Sequence, residues 1–177
     1  MSYTLTVVTP PATLLVSLVE AKAMLLVDHG FDPRTVDMVE VFHTWDPAIM
    51  EYFIERGADV ETGYPLAQAL RSRVQSVLGI FRRYRDRFQS FQKQVDIALR
   101  YHCQEGNMKW VSLMLWAGAD PYAEGPTSCD DDPDSSYEGL SALGWAALYE
   151  HHDVLRLKRI RLDPTSPATW EVASYVK

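Results

Sequence analysis

Two stretches of the chain, Glu55-Arg56-Gly57-Ala58-Asp59-Val60 and Trp116-Ala117-Gly118-Ala119-Asp120-Pro121, close apolar helical segments with the same Gly-Ala-Asp sequence. Glycine adopts the left-handed backbone conformation that ends a helix, and the following Asp hydrogen-bonds to the backbone of its own turn. Related turns stand at residues 28–33 and 159–164. The chain is therefore predicted to repeat a helical unit that ends in a turn.

The spacing of the turn glycines gives the length of the unit. Gly30 and Gly57 are 27 residues apart, and Gly57 and Gly118 are 61 residues apart, which is close to two units of roughly 33 residues. A unit with a degenerate turn is therefore predicted between them, over residues 65–88, with its second helix beginning near Leu78.

Capping chemistry predicts where two of the helices begin. Asp46-Pro47 combines an N-cap side chain with proline at the first helical position, where its missing N–H is no loss. Ser141 can accept a hydrogen bond from an exposed backbone N–H at the start of the helix that follows it.

These turns and the residues before them resemble ankyrin repeats. Residues 139–147 are similar to the opening of the first ankyrin helix, and residues 105–115 are similar to the second helix. The usual His of the opening motif is absent, and Gln68 and Gly144 stand in that neighbourhood. Because those histidines ordinarily tie one turn to the next, their absence implies divergent units with less regular stacking.

The resemblance implies an all-α fold, an ankyrin-like solenoid of about five stacked helix-turn-helix repeats that forms a single domain over residues 1–177. Residues 1–11 are predicted to be an N-terminal cap segment, followed by one long helix or two short ones over 12–29. Residues 122–138 are predicted to be an acidic loop insertion, and residues 165–177 a C-terminal cap. An all-helical bundle without regular stacking is the alternative.

Composition and charge limit the classes of function. With 177 residues, of which 47% are hydrophobic, the chain can bury a continuous core. Its formal net charge of -7 argues against a general affinity for nucleic-acid phosphates, which requires clustered Lys and Arg. Cys103 and Cys129 form no Cys-x-x-Cys pair, a pattern that suits a reducing compartment. Residues 1–8 lack the features of a secretion signal, and no apolar run reaches the roughly 18 residues of a spanning helix, so we expect a cytoplasmic protein.

The acidic loop invites a calcium hypothesis that its spacing does not support. Asp130, Asp132 and Asp134 alternate as the first ligands of an EF-hand loop do. Ser135 then stands where glycine is needed, and Ser141 stands where a bidentate Glu is needed. A solvated acidic loop or a charged contact surface is the better interpretation, and no metal or other cofactor is predicted.

Six arginines are concentrated in the third unit, where they alternate with aromatic residues: Arg71, Arg73, Arg82, Arg83, Arg85 and Arg87, with Phe81, Tyr84 and Phe88. Arg and aromatic side chains together favour recognition of carboxylates, phosphates or bases. The aromatic residues also fall three and four positions apart, as on the buried face of a helix whose arginines face solvent. The second interpretation is preferred.

The sequence contains no motif that points to catalysis. The five histidines show no metal-ligand spacing, and on a helix the side chains of His102 and Cys103 diverge by about 100°. The chain is predicted to be a non-catalytic protein–protein interaction module, an adaptor or inhibitor that binds a protein partner through its turns and the concave helix face. Binding of nucleic acid or of an acidic surface through the Arg-rich third unit is the alternative, and an enzyme is least favoured.

The candidate partner-binding residues lie in turns, in the acidic loop and on inner helices: Glu61, Tyr64, Tyr122, Glu124, Asp130, Asp131, Asp132, Asp134, Trp145 and Tyr149. For Trp145, a place in the core is predicted equally well.

Overall fold

The computed structural model describes residues 29–128, 139–157 and 160. Within these ranges the chain forms a 3-10 turn at Pro33–Thr35 and then α1 (Met38–Phe42), α2 (Pro47–Glu55), α3 (Pro65–Arg71), α4 (Val77–Tyr84), α5 (Ser90–Gln104), α6 (Met108–Ala117), α7 (Ala142–Leu148) and α8 (His152–Leu155). These ranges contain no strand. The predicted cap segments, nearly all of the first predicted helix and residues 129–138 of the acidic loop lie outside the described residues.

The predicted helix starts are confirmed. The backbone N–H of Ala48 donates to Asp46 Oδ1 at 2.9 Å, with Pro47 as the first residue of α2. At α7 the N–H of Gly144 donates to Ser141 Oγ at 3.0 Å. Both side chains satisfy backbone donors that a helix leaves without partners in its first turn.

The predicted turns also have the expected geometry. Gly57 and Gly118 have φ of 81° and 110°, in the left-handed region that side chains rarely adopt. Asp59 Oδ1 accepts from the N–H of Glu61 at 2.9 Å. In the same way, Asp120 Oδ1 accepts from the N–H of Tyr122 at 2.9 Å. The Gly-Ala-Asp sequence therefore closes the helix and shapes the loop that follows it.

The helices pack as successive pairs that lie side by side. Each odd-numbered helix contacts the even-numbered helix that follows it. In addition, α1 contacts α3, α3 contacts α5 and α5 contacts α7, which together form a first-helix row. Likewise α2, α4, α6 and α8 contact one another in order and form a second-helix row. The all-α class is confirmed for the described residues.

The core contains apolar side chains from both rows. Among the largest fully buried ones are Leu66, Leu70, Ile80, Phe81, Leu99, Met114 and Leu143. Burial of each such side chain favours folding by roughly 1.5–3 kcal/mol. Phe81 and Tyr84 of α4 are buried, as predicted, whereas Phe88 lies beyond the end of α4 and is only partly buried against the core.

None of the helices in the described ranges combines the length and the apolar character that crossing a membrane requires.

Candidate partner-binding surface

A buried amide joins two neighbouring first helices. Gln94 is 0% exposed, and its Oε1 accepts from the N–H groups of Leu66 at 2.9 Å and Ala67 at 3.3 Å. Its Nε2 donates to the carbonyl of Val60 at 2.8 Å. Because Tyr64, at the start of α3, has φ of 49° and provides no side-chain cap, Gln94 of α5 caps α3 in its place.

Two histidines tie helix pairs together at the opposite end of the first helices. His102 Nε2 donates to the carbonyl of Leu70 at 3.0 Å, and His151 Nε2 donates to the carbonyl of Gln104 at 2.8 Å. Burial lowers the pKa of His102, which favours its neutral ring. The missing ankyrin histidines implied irregular stacking, yet histidines at other positions make contacts of this kind between neighbouring pairs.

The base of the acidic loop is folded onto α5 and α7. The buried Arg100 donates from Nε to the carbonyl of Pro126 at 2.7 Å and from Nη1 to that of Ala123 at 2.9 Å. Trp145 Nε1 donates to the carbonyl of Gly125 at 3.4 Å. The base of the loop therefore covers Arg100 of α5 and Trp145 of α7, which are both buried.

A carboxylate holds the next turn against α5. Asp96 Oδ1 accepts from the N–H of Asp120 at 2.8 Å and from Gln92 Nε2 at 2.9 Å. Burial raises the pKa of Asp96 to about 6 and outweighs these hydrogen bonds and the nearby Arg100, all of which favour the charged form.

Polar and aromatic side chains continue across the first-helix row. Lys93, Tyr101 and Gln104 lie on one side of α5 because they are eight and three residues apart along a helix. Each contacts a residue of a neighbouring pair, and the resulting surface is called the first-helix face: Tyr64, Arg71, Lys93, Tyr101, Gln104 and Tyr149.

The contacts within the first-helix face hold its aromatic rings in place. Lys93 Nζ donates to the Tyr64 hydroxyl at 2.9 Å. The guanidinium carbon of Arg71 lies 4.6 Å from the centre of the Tyr101 ring. Gln104 Nε2 donates to the hydroxyl of Tyr149, a residue that is 47% exposed.

The structure brings together several of the candidates predicted from sequence. Tyr64 and Tyr149 belong to the first-helix face, at its two ends. Glu61 is exposed in the adjoining turn, where its Oε1 accepts from Ser90 Oγ at 3.1 Å. Glu124 is exposed and Tyr122 half-buried at the base of the acidic loop.

Other candidates fall elsewhere. Trp145 is only 5% exposed and lies beneath the loop base, which agrees with its alternative prediction as core. The remaining candidates lie outside the described residues and stay predictions: Asp130, Asp131, Asp132 and Asp134.

Sequence reasoning missed Lys93, Tyr101 and Gln104 as members of the surface. Their spacing places them on one side of a helix, but many other sets of residues along this 15-residue helix also share a side. Only the positions of α3 and α7 show which side of α5 carries the surface.

Two arginines, one in α4 and one just after it, are partly neutralised by glutamates of α2. Arg83 forms an ion pair with Glu51, and Arg87 Nη1 lies 3.1 Å from Glu55 Oε2. Glu55 also accepts from the Tyr84 hydroxyl at 2.7 Å, and burial together with this carboxylate raises the pKa of Tyr84 to about 12. These pairs join α2 and α4 on the second-helix row.

Potentially reactive groups in the described ranges are dispersed. No three His, Cys, Asp or Glu residues there are grouped closely enough to hold a metal ion. Cys103 is buried, and burial raises the pKa of its thiol to about 12, so the thiol stays protonated near neutral pH.

Comparisons of the chain with protein-family models, with curated proteins and with solved structures find no match.

Proposed function

We propose that the chain is a divergent ankyrin-like repeat protein that binds a protein partner and does not catalyse a reaction. Two rows of paired helices, joined by Gly-Ala-Asp turns, support this assignment. In such arrays each unit contributes a few side chains to an extended recognition surface. A cytoplasmic location, as expected from the sequence, is part of the proposal.

The observation that carries the proposal is the first-helix face. It extends from the start of α3 across α5 to the end of α7, and tyrosines stand on all three helices or at their ends. Tyr and Arg are enriched among interface residues that dominate binding energy. Because Tyr64 and Tyr149 are already held by hydrogen bonds, ordering them on binding loses little conformational entropy.

Nucleic-acid binding through the Arg-rich third unit is the competing proposal. It is weakened by the ion pairs that Arg83 and Arg87 form with glutamates, and by the net charge of -7. A nucleic-acid complex would lose affinity steeply as salt rises. A protein complex centred on tyrosines would be much less sensitive to salt.

Affinity capture from the native cell, quantified by mass spectrometry, tests the proposal with the double variant Tyr64→Ala/Tyr149→Ala. The matched control is Trp45→Ala, which removes an aromatic side chain of similar exposure, 57%, from the turn between α1 and α2, outside the first-helix face. We expect a protein that the wild type and the control capture equally and that the double variant loses.

Calorimetry with that purified protein then gives the size of the effect. We expect a stoichiometric complex that the double variant weakens at least about tenfold, since two anchoring tyrosines are removed. Capture of the same proteins by the double variant and the wild type would contradict the proposal, as would turnover of the captured partner.

A further inference from the structure

A groove of about 500 Å³ opens between α4 and α6 on the second-helix row, apart from the first-helix face. Its apolar part is formed by two leucines and a tryptophan, its floor includes the backbone of a glycine, and its polar part includes two arginines. The residues that define it are Leu78, Gly79, Arg82, Arg83, Leu113 and Trp116.

Trp116 and Arg82 are exposed in the groove and contact each other. The Trp116 side chain belongs to a residue that is 49% exposed, and the guanidinium carbon of Arg82 lies 4.3 Å from the centre of its ring. Arg83 forms an ion pair with Glu51, whereas no carboxylate of the described ranges lies within ion-pair distance of Arg82. The ring therefore positions a cation whose hydrogen-bond donors can meet an anionic group.

Gly79 gives an independent indication that the groove accommodates another molecule. Glycine inside a helix destabilises it by about 1 kcal/mol relative to alanine. Yet a Cβ atom placed on Gly79 would meet no atom within 4 Å apart from its chain neighbours and the nearby backbone of its own helix, so neighbouring helices do not require the glycine. Its effect is to leave the floor of the groove bare, where an incoming side chain can lie close to the backbone.

We propose that this groove binds an acidic segment of a partner protein. An apolar side chain of that segment lies over Gly79 between Trp116 and Leu113, and a carboxylate pairs with Arg82. Charge complementarity supports this occupant, since the lining includes arginines and no carboxylate. The apolar side chains of the lining favour a peptide that places an apolar side chain beside its carboxylate over a phosphate backbone.

Selection from a phage-displayed library of random peptides, with the full chain as bait, tests the proposal. Gly79→Leu fills the groove, and Arg82→Gln removes the arginine that forms no ion pair with a carboxylate of the described ranges. The matched controls are Gly79→Ala, which adds only a methyl group, and Arg156→Gln, which removes an exposed arginine near α8. Circular dichroism and thermal unfolding establish that Gly79→Leu folds, which we expect because leucine favours helix and its Cβ has space.

We expect the selected peptides to be enriched in Asp and Glu next to a large apolar residue. Their affinity should be within about twofold of wild type for Arg156→Gln, and at least about tenfold weaker for Gly79→Leu and for Arg82→Gln. Gly79→Ala should bind better than Gly79→Leu. The double variant Tyr64→Ala/Tyr149→Ala should bind these peptides normally, so this groove and the first-helix face succeed or fail separately.

Three outcomes would overturn the groove proposal. One is the failure of selection to enrich any peptide, and another is a selected pool without an excess of acidic residues. The third is equal binding of the selected peptides to the wild type and Gly79→Leu. Tight binding of single-stranded RNA that Gly79→Leu abolishes would assign the groove to nucleic acid instead, and would equally overturn it.

Discussion

Asp96 is a buried side chain of α5 that holds the turn at Asp120 against its helix, although burial disfavours its charged form. It accepts hydrogen bonds from Asp120 and Gln92, yet burial raises its pKa from 3.8 to about 6. Between these values the folded chain holds a proton that the unfolded chain has released. The carboxyl therefore favours folding most below its unfolded pKa, and this contribution is lost as pH rises through about 6.

The variant Asp96→Asn is expected to remove this pH dependence, because asparagine keeps a carbonyl oxygen for the Asp120 N–H and does not ionise. Relative to wild type, its free energy of unfolding should rise by about 2–3 kcal/mol between about pH 4 and pH 7. Urea denaturation across that range measures the change. The exposed Asp86→Asn is the control, and an Asp96→Asn effect that is the same at every pH would contradict the account.

At the residue scale, sequence reasoning succeeded where the chemistry is local. Asp46 and Ser141 cap the helices that directly follow them. It left Trp145 undecided because its burial depends on Gly125, a residue of the loop that comes back over α7. No property of the residues next to Trp145 contains that information.

At the scale of the elements, the beginning of α3 depends on a different helix. Its first N–H groups are satisfied by Gln94 of α5, which also donates to Val60. Replacing Gln94 with Leu would bury these groups without partners. We expect the free energy of unfolding to fall by about 2–4 kcal/mol.

Urea denaturation of Gln94→Leu beside Gln89→Leu separates the hydrogen bonds from the change in composition. Gln89 is exposed and makes no side-chain cap to α5, so its variant should stay within about 0.5 kcal/mol of wild type. Equal stability of the two variants would show that Gln94 does not cap α3.

The elements themselves were largely predictable, including the third unit. Its helices α3 and α4 occupy the predicted 65–88 interval although its closing turn lacks Gly-Ala-Asp. The contacts between units were not predictable, since Gln94, His102 and His151 make them from positions unrelated to that of the ankyrin opening-motif histidine. A long-range hydrogen bond of this kind leaves no periodic signal in the sequence.

For the molecule as a whole, the predicted binding surface also includes the acidic loop. Its aspartates lie outside the described residues, so their role rests on the sequence prediction. Its base is anchored to α5 and α7, and its carboxylates are predicted to contact the partner. The variant in which Asp130, Asp131, Asp132 and Asp134 become Ser should bind the partner less tightly, because charge complementarity is lost.

The melting temperature of this loop variant should stay close to that of the wild type, because the substitutions leave the anchoring residues intact. Calorimetric titration with the captured protein, beside a thermal melt, measures both quantities. Unchanged affinity would remove the loop from the binding surface while leaving the first-helix face as its proposed centre.

The proposed function depends on first helices of successive pairs lying side by side, so that they present one continuous face. Nuclear Overhauser spectroscopy of the isotope-labelled chain measures this arrangement directly. We expect contacts between the Leu66 amide proton and the Gln94 side chain, and between the His102 ring and Leu70. Their absence, together with contacts that place α3 and α5 apart, would contradict the stacked arrangement and the binding surface that depends on it.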